Sequence, residues 1–187
     1  MNLVDYEKQF QEILDGENTN YPYDSEDYIK YVKLNQRRIK RWTKTGKILP
    51  ELMETIQSIE QPLNWVLITE PWCGDAAHSH TFITKLVALN PKINLTVQNR
   101  DAPSSEIDKY LTNGGKSIPI LVVRDAEGND LFHWGPRPKE AQEMVMRLKK
   151  DDSISMEDKK KEVQMWYNKD KGVSIQQELN QLFKENL

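Results

Sequence analysis

Trp65-Val66-Leu67-Ile68-Thr69-Glu70-Pro71-Trp72-Cys73-Gly74-Asp75-Ala76 changes character along its length, and that change decides the fold class. Residues 65–69 are mostly apolar and rich in β-formers, as a buried strand requires. From Cys73 to Leu89 the sequence reads as a helix, stopped by Asn90-Pro91. Further on, residues 93–97 alternate as a second strand, and 104–111 read as a helix closed by Asn113-Gly114-Gly115. Residues 118–123 form a third strand with Pro119 at its start. Glu127-Gly128-Asn129 is a hairpin turn, 131–134 the returning strand, and 138–148 a helix with Pro138 near its first turn. The order βαβ, helix, ββα is that of an α/β domain.

The flanks read as helices. Leu3, Val4, Phe10, Ile13 and Leu14 make a stripe ending near Gly16, and a polar loop with Pro22 follows. Ser25 is a plausible N-cap for a helix carrying Tyr28, Tyr31, Val32, Ile39 and Trp42, because Glu26 and Asp27 put acids in its first turn. Residues 51–59 form a shorter helix closed by Pro62. The charged tail from Met156 gives one or two amphipathic helices broken near Gly172, with Trp166 and Tyr167 docking them on the core. The organisation expected is residues 1–60 as an N-terminal helical extension, 61–150 as the α/β domain and 151–187 as a C-terminal helical extension.

With 187 residues, 37% hydrophobic and 29% charged, the chain suits one cored domain with much solvated helix surface. A net charge of -3 argues against a dedicated nucleic-acid binder. MNLVDYEKQF lacks a basic segment followed by an apolar run, so no signal peptide is expected, and no apolar stretch is long enough to span a membrane. A single Cys excludes an internal disulfide and points to a reducing cytoplasm. Oligomeric state is not readable from the sequence.

Trp72-Cys73-Gly74-Asp75-Ala76 resembles the thioredoxin superfamily active site W-C-G-x-C. Thr69-Glu70-Pro71-Trp72-Cys73-Gly74-Asp75 is similar to a bacterial group of thioredoxin-like proteins with T-E-x-W-C-G-D motifs. A strand before the motif, a Cys opening a helix, Ile118-Pro119 in the place of the family's cis-proline, the hairpin, Gly135 and a final helix follow in family order over about residues 60–150. The resemblance implies a thioredoxin-like fold, a central mixed sheet flanked by helices, here with N- and C-terminal helical extensions. It also implies thiol-disulfide exchange or redox homeostasis, with Cys73 as nucleophile and Trp72, Gly74, Asp75, Ile118 and Pro119 shaping the substrate groove. Basic residues near the cis-proline of glutathione-binding relatives add Lys116. Three positions depart from the pattern: Ala76 replaces the resolving cysteine, Leu67 the buried Asp, and Asp75 the Pro of W-C-G-P-C.

A helix start favours a thiolate, because its first N–H groups are free and its dipole attracts an anion. Asp75 opposes this as a nearby like charge, so Cys73 is expected to be less acidic than a strongly activated thiol. Without a thiol at position 76, a mixed disulfide on Cys73 needs an external thiol for release. The partner expected is a protein disulfide or a low-molecular-weight thiol, with no bound cofactor. The alternative is a non-catalytic thioredoxin-fold binding module.

Other motifs carry less. His78 and His80 lack a third convergent ligand, so no metal site is expected. His133 reads as an ordinary polar residue. Gly114-Gly115-Lys116-Ser117 lacks the earlier glycine and the following helix of a phosphate-binding loop. The basic run Arg37, Arg38, Lys40, Arg41, Lys44 and Lys47 reads as a solvated helix face.

Overall fold

The computed structural model describes residues 1–187. Seven helices and four strands follow in the order α1 (Leu3–Leu14), α2 (Glu26–Thr45), α3 (Pro50–Gln57), β1 (Leu63–Thr69), α4 (Gly74–Val87), β2 (Ile93–Asn99), β3 (Ile120–Arg124), β4 (Asp130–Trp134), α5 (Lys139–Lys149), α6 (Met156–Asp170) and α7 (Val173–Asn186). The sheet order is β2-β1-β3-β4, with β1 parallel to β2 and antiparallel to β3, and β4 antiparallel to β3. This is a mixed sheet flanked by helices, a thioredoxin-like fold with helical extensions.

The apolar run read in β1 is explained by its central place, since both of its faces are covered. Trp65 and Leu67 meet Phe82, Ile83 and Leu86 of α4, Leu52 and Ile56 of α3, and Leu179 and Phe183 of α7 in one core. Val66 and Ile68 point the other way, toward Cys73, Ala76, Ile107, Tyr110 and Ile118. The α1–α2 hairpin packs Tyr6, Phe10, Ile13 and Val32 against Val97 on β2. Helices from both ends of the chain therefore share the sheet's hydrophobic burial, and no helix is long and apolar enough to cross a membrane.

One element differs from expectation. Residues 104–111 hold only a single 3-10 turn, Ile107–Lys109. Ser105 Oγ accepts the Ile107 amide at 3.3 Å, a local bond that competes with helix. The Glu106 amide donates to Gln98 Oε1 at 3.1 Å, and the Glu106 carboxylate takes both Nη groups of Arg124 at 3.1 and 2.8 Å. Those charge-assisted bonds hold Glu106 well below the usual carboxylate range, at about 2. Long-range bonding to β2 and β3 outweighs the weak helical preference of so short a segment. The third strand also starts two residues late, at Ile120, because Pro119 has no N–H to give to the ladder.

The tail forms two helices, with Lys171 (φ 56) and Gly172 (φ 78) both left-handed between them. A Cβ on Gly172 would sit 2.1 Å from the Phe82 ring. Left-handed geometry and a rigid neighbour thus both demand glycine. Gly172→Ala is expected to cost about 3 kcal/mol or more in urea denaturation, and clearly less in a Phe82→Leu background that removes the ring. An equal cost in both backgrounds would show that the ring contact does not matter.

Candidate functional site

Cys73 is the N-cap of α4. Its Sγ accepts the Ala76 amide at 3.5 Å, and its thiol donates to the Ile118 carbonyl at 3.3 Å. The Ile118–Pro119 peptide is cis, and Gly135 at φ 127 leaves room for the Pro119 carbonyl, which a Cβ there would meet at 2.2 Å. Cys73 is only 5% exposed. Burial pushes its thiol up to about 12, and the Asp75 carboxylate pushes the same way, against the smaller pull of the helix-start amides and Arg137. The weakly acidic thiol expected from Asp75 is therefore found, with burial as the larger cause.

Asp75 lies in the first turn of α4, yet its carboxylate does more than favour the helix start. Oδ2 pairs with Arg137 Nη2 at 2.5 Å, and Oδ1 accepts the Tyr167 hydroxyl at 2.9 Å. Burial and the Asp75 charge hold the Tyr167 phenol well above its usual range, so it remains a donor. Tyr167 stacks on His78, with ring centroids 4.3 Å apart and planes 2° apart. His78 Nδ1 accepts Trp42 Nε1–H at 3.0 Å, and Nε2 meets the Gln164 side chain at 2.9 Å. Burial drives His78 down to about 3, with Arg38 and Arg41 adding to the effect, so its ring is neutral. His80 is fully enclosed with neither ring nitrogen partnered, and burial lowers it to about 4. No group of three or more His, Cys, Asp or Glu side chains converges anywhere in the chain.

Above Cys73 opens a cleft of about 790 Å³. Its floor is Trp72-Cys73-Gly74-Asp75 with Ile118, while Tyr28, Tyr31 and Arg38 of α2 form one wall and Met156, Val163 and Gln164 of α6 belong to the other. Trp72 is braced edge-on by Tyr28 at 5.7 Å and capped by the Arg100 guanidinium 4.8 Å from its ring centroid. Six of the seven site residues read from the sequence line this cleft: Cys73, Trp72, Gly74, Asp75, Lys116 and Ile118. Pro119 is buried and does not line it. The space over Gly74 is occupied by Arg38, whose Nη1 lies 3.3 Å from where a Cβ would stand. Lys116 sits at the rim, paired with Asp108 at 3.0 Å. His133 is exposed, and the basic run is exposed except for Arg38, which enters the cleft.

Arg137 and Tyr167 were not singled out as site residues by the sequence reading. Arg137 had a usable signal, since a lone arginine locked between Pro136 and Pro138 is held in a fixed direction. Tyr167 had none, because its link to Asp75 spans 92 residues.

The thioredoxin family known as Thioredoxin_9, described simply as thioredoxin, matches residues 22–160. The chain belongs to this thioredoxin family. No curated protein matches it. Among solved structures it is similar to a Pseudomonas aeruginosa protein of unknown function, with 16% identity, a TM-score of 0.57 and 87% of each chain covered. It is also similar to an HIV 4E10 epitope scaffold, with 16% identity, a TM-score of 0.59 and full coverage of both chains. At this identity both likenesses concern the fold alone.

Two measurements probe the site. A His lowered on folding favours its neutral form there, so stability is lost as pH falls below the unfolded value of 6.5. Between pH 7 and pH 5, the wild type is expected to lose about 2 kcal/mol more than His80→Leu in chemical denaturation. Equal losses would place the titrating group elsewhere. For Cys73, carboxamidomethylation is expected to accelerate about tenfold per pH unit between pH 7 and 10. Asp75→Asn removes a like charge and frees Arg137, so at pH 8 its alkylation should be about tenfold faster. An unchanged rate would sever Asp75 from the thiol's acidity.

Proposed function

We propose that this chain is a thioredoxin-fold thiol protein that works through single mixed disulfides on Cys73. The observation that carries the proposal is the position of Sγ: at the start of α4, facing the carbonyl before cis-Pro119, on the floor of a cleft. In the forward step a Cys73 Sγ–sulfur bond forms and the ligand's S–S bond breaks. Cys73 is oxidised, and the departing sulfur leaves as a thiol carrying the proton that Cys73 gave up. Ala76 offers no second thiol, so an external thiol attacks the ligand sulfur of the mixed disulfide, forms a disulfide with it and releases Cys73 as the reduced thiol. The protonated resting thiol makes this exchange slow at neutral pH until binding draws Cys73 out of its bond to Ile118.

Within this reading, residues 61–150 carry the reactive turn while the helices on either side wall the cleft. The partner is a protein disulfide or a low-molecular-weight thiol, and a reducing cytoplasm is the compartment that suits it. No cofactor enters the reaction. A second reading, a thioredoxin-fold binding module with an inert thiol, is favoured by the burial of Cys73 and its pKa of about 12.

Incubation of the reduced protein with oxidised glutathione at pH 8.5, followed by intact-mass measurement, separates the two. One mixed disulfide per chain is expected, reversed by excess free thiol and absent in Cys73→Ser. No adduct after prolonged incubation, with the fold retained, would favour the binding module. Ala76→Cys is expected to form an internal disulfide with Cys73 and to gain reductase activity toward a model disulfide. Failure of both would mean that the α4 start is not arranged for exchange.

A further inference from the structure

The cleft has an uneven charge balance for a chain of net charge -3. Seven cationic and two acidic side chains line it. Three of the cations are neutralised: Arg137 by Asp75 at 2.5 Å, Arg100 by Asp101 at 2.6 Å and Lys116 by Asp108 at 3.0 Å. The other four are Arg38 on α2, Lys149 at the end of α5, and Lys159 and Lys160 on α6. None of the chain's ion pairs uses any of them. Arg38 donates only to the neutral Asn35 side chain, at 2.8 Å, and is half-buried, which lowers its pKa from the ordinary arginine value. Lys160 rests on Tyr31 across the cleft, donating to its hydroxyl at 2.5 Å with Nζ 4.9 Å from the ring centroid.

Four cations outside any ion pair, Arg38 and Lys159 half-buried and Lys149 and Lys160 exposed, thus come from three helices to one concavity, with Asp151 near Lys159, and a half-buried charge without a salt-bridge partner loses hydration. They place positive charge along the walls of the cleft that Cys73 floors. A cavity near 790 Å³ is of the size that encloses a small molecule. A disulfide in a folded protein would have to reach Cys73 between α2 and α6, whereas a small ligand is admitted whole.

We propose that the cleft selects a small thiol, or its disulfide, that bears at least two anionic groups, carboxylate or phosphate. Arg38, Lys149, Lys159 and Lys160 hold the charges while the ligand sulfur lies against Cys73. The proposal rests on the exchange reading above and names its substrate class. Ligand anions supply these side chains with the salt-bridge partners that the chain itself does not.

Three disulfides of similar size and different charge test it on the full chain: dithiodipropionate (dianionic), 2-hydroxyethyl disulfide (neutral) and cystamine (dicationic). At low salt, adduct formation on Cys73 is expected to be about tenfold faster for the dianion than for the neutral probe, and slowest for the dication. The preference should shrink toward unity at 0.5 M NaCl. The ratio of dianion to neutral-probe rates should also fall to unity or below in Lys159→Glu/Lys160→Glu, both probes being read on the same variant; a ratio unchanged from wild type would overturn the role of these two lysines. Equal rates for all three probes would overturn the charge selection and leave exchange standing. To separate the two ideas, binding of 2-(methylthio)succinate (dianionic) and of its neutral dimethyl ester to Cys73→Ser is measured by calorimetry. Anion-selective binding there with no adduct on the wild type would overturn exchange and keep the anion cleft. No binding of either compound would overturn the cleft itself.

Discussion

The carboxylate of Asp75 is the joint on which the site depends. Through one oxygen it holds Arg137 and with it the segment after β4, and through the other it holds Tyr167 and with it α6. A half-buried carboxylate with both oxygens engaged is stable only while both donors are in place, so three distant stretches of chain are locked into one geometry. The same charge faces the Cys73 sulfur and, added to burial, keeps the proton on it. Rigidity of the scaffold and reluctance of the thiol share that origin.

Beneath the joint, two buried histidines of α4 are treated differently. His78 is neutral and satisfied on both nitrogens by Trp42 and Gln164, and its ring supports Tyr167 from below. His80, two residues on and on the other side of α4 beside Tyr6, is enclosed without partners. The contrast shows how burial alone and burial with hydrogen bonds lead to the same protonation state at different cost. On the opposite face of the sheet, Glu106 and Arg124 fasten the irregular 100–118 segment, which delivers Ile118 to the sulfur.

Much of the frame was legible in the sequence because it rests on local rules. The apolar run at 65–69, the helix opening at Cys73, the hairpin at Glu127-Gly128-Asn129 and the break at Gly172 follow from periodicity and backbone preference. Residues 104–111 were misread as a helix because Glu106 answers to Gln98 and Arg124, partners that no local window contains. The reactive turn was legible as a motif, but its surroundings were not. Asp75 finds Arg137 and Tyr167 at separations of 62 and 92 residues, and Arg38 looked like one more solvated base on α2. Burial of the thiol, which sets its acidity, emerges only from packing.

The cleft's floor and its walls are written in different parts of the chain. The Cys73 turn and Ile118 belong to the sheet-bearing core, while α2 and α6 lie on either side of it in sequence. Exposed wall positions such as Tyr31, Met156 and Lys160 can therefore be exchanged without touching the core, whereas Val32 and Asn35 on the same stretch of α2 cannot, because one packs against Val97 and the other holds the Pro71 carbonyl.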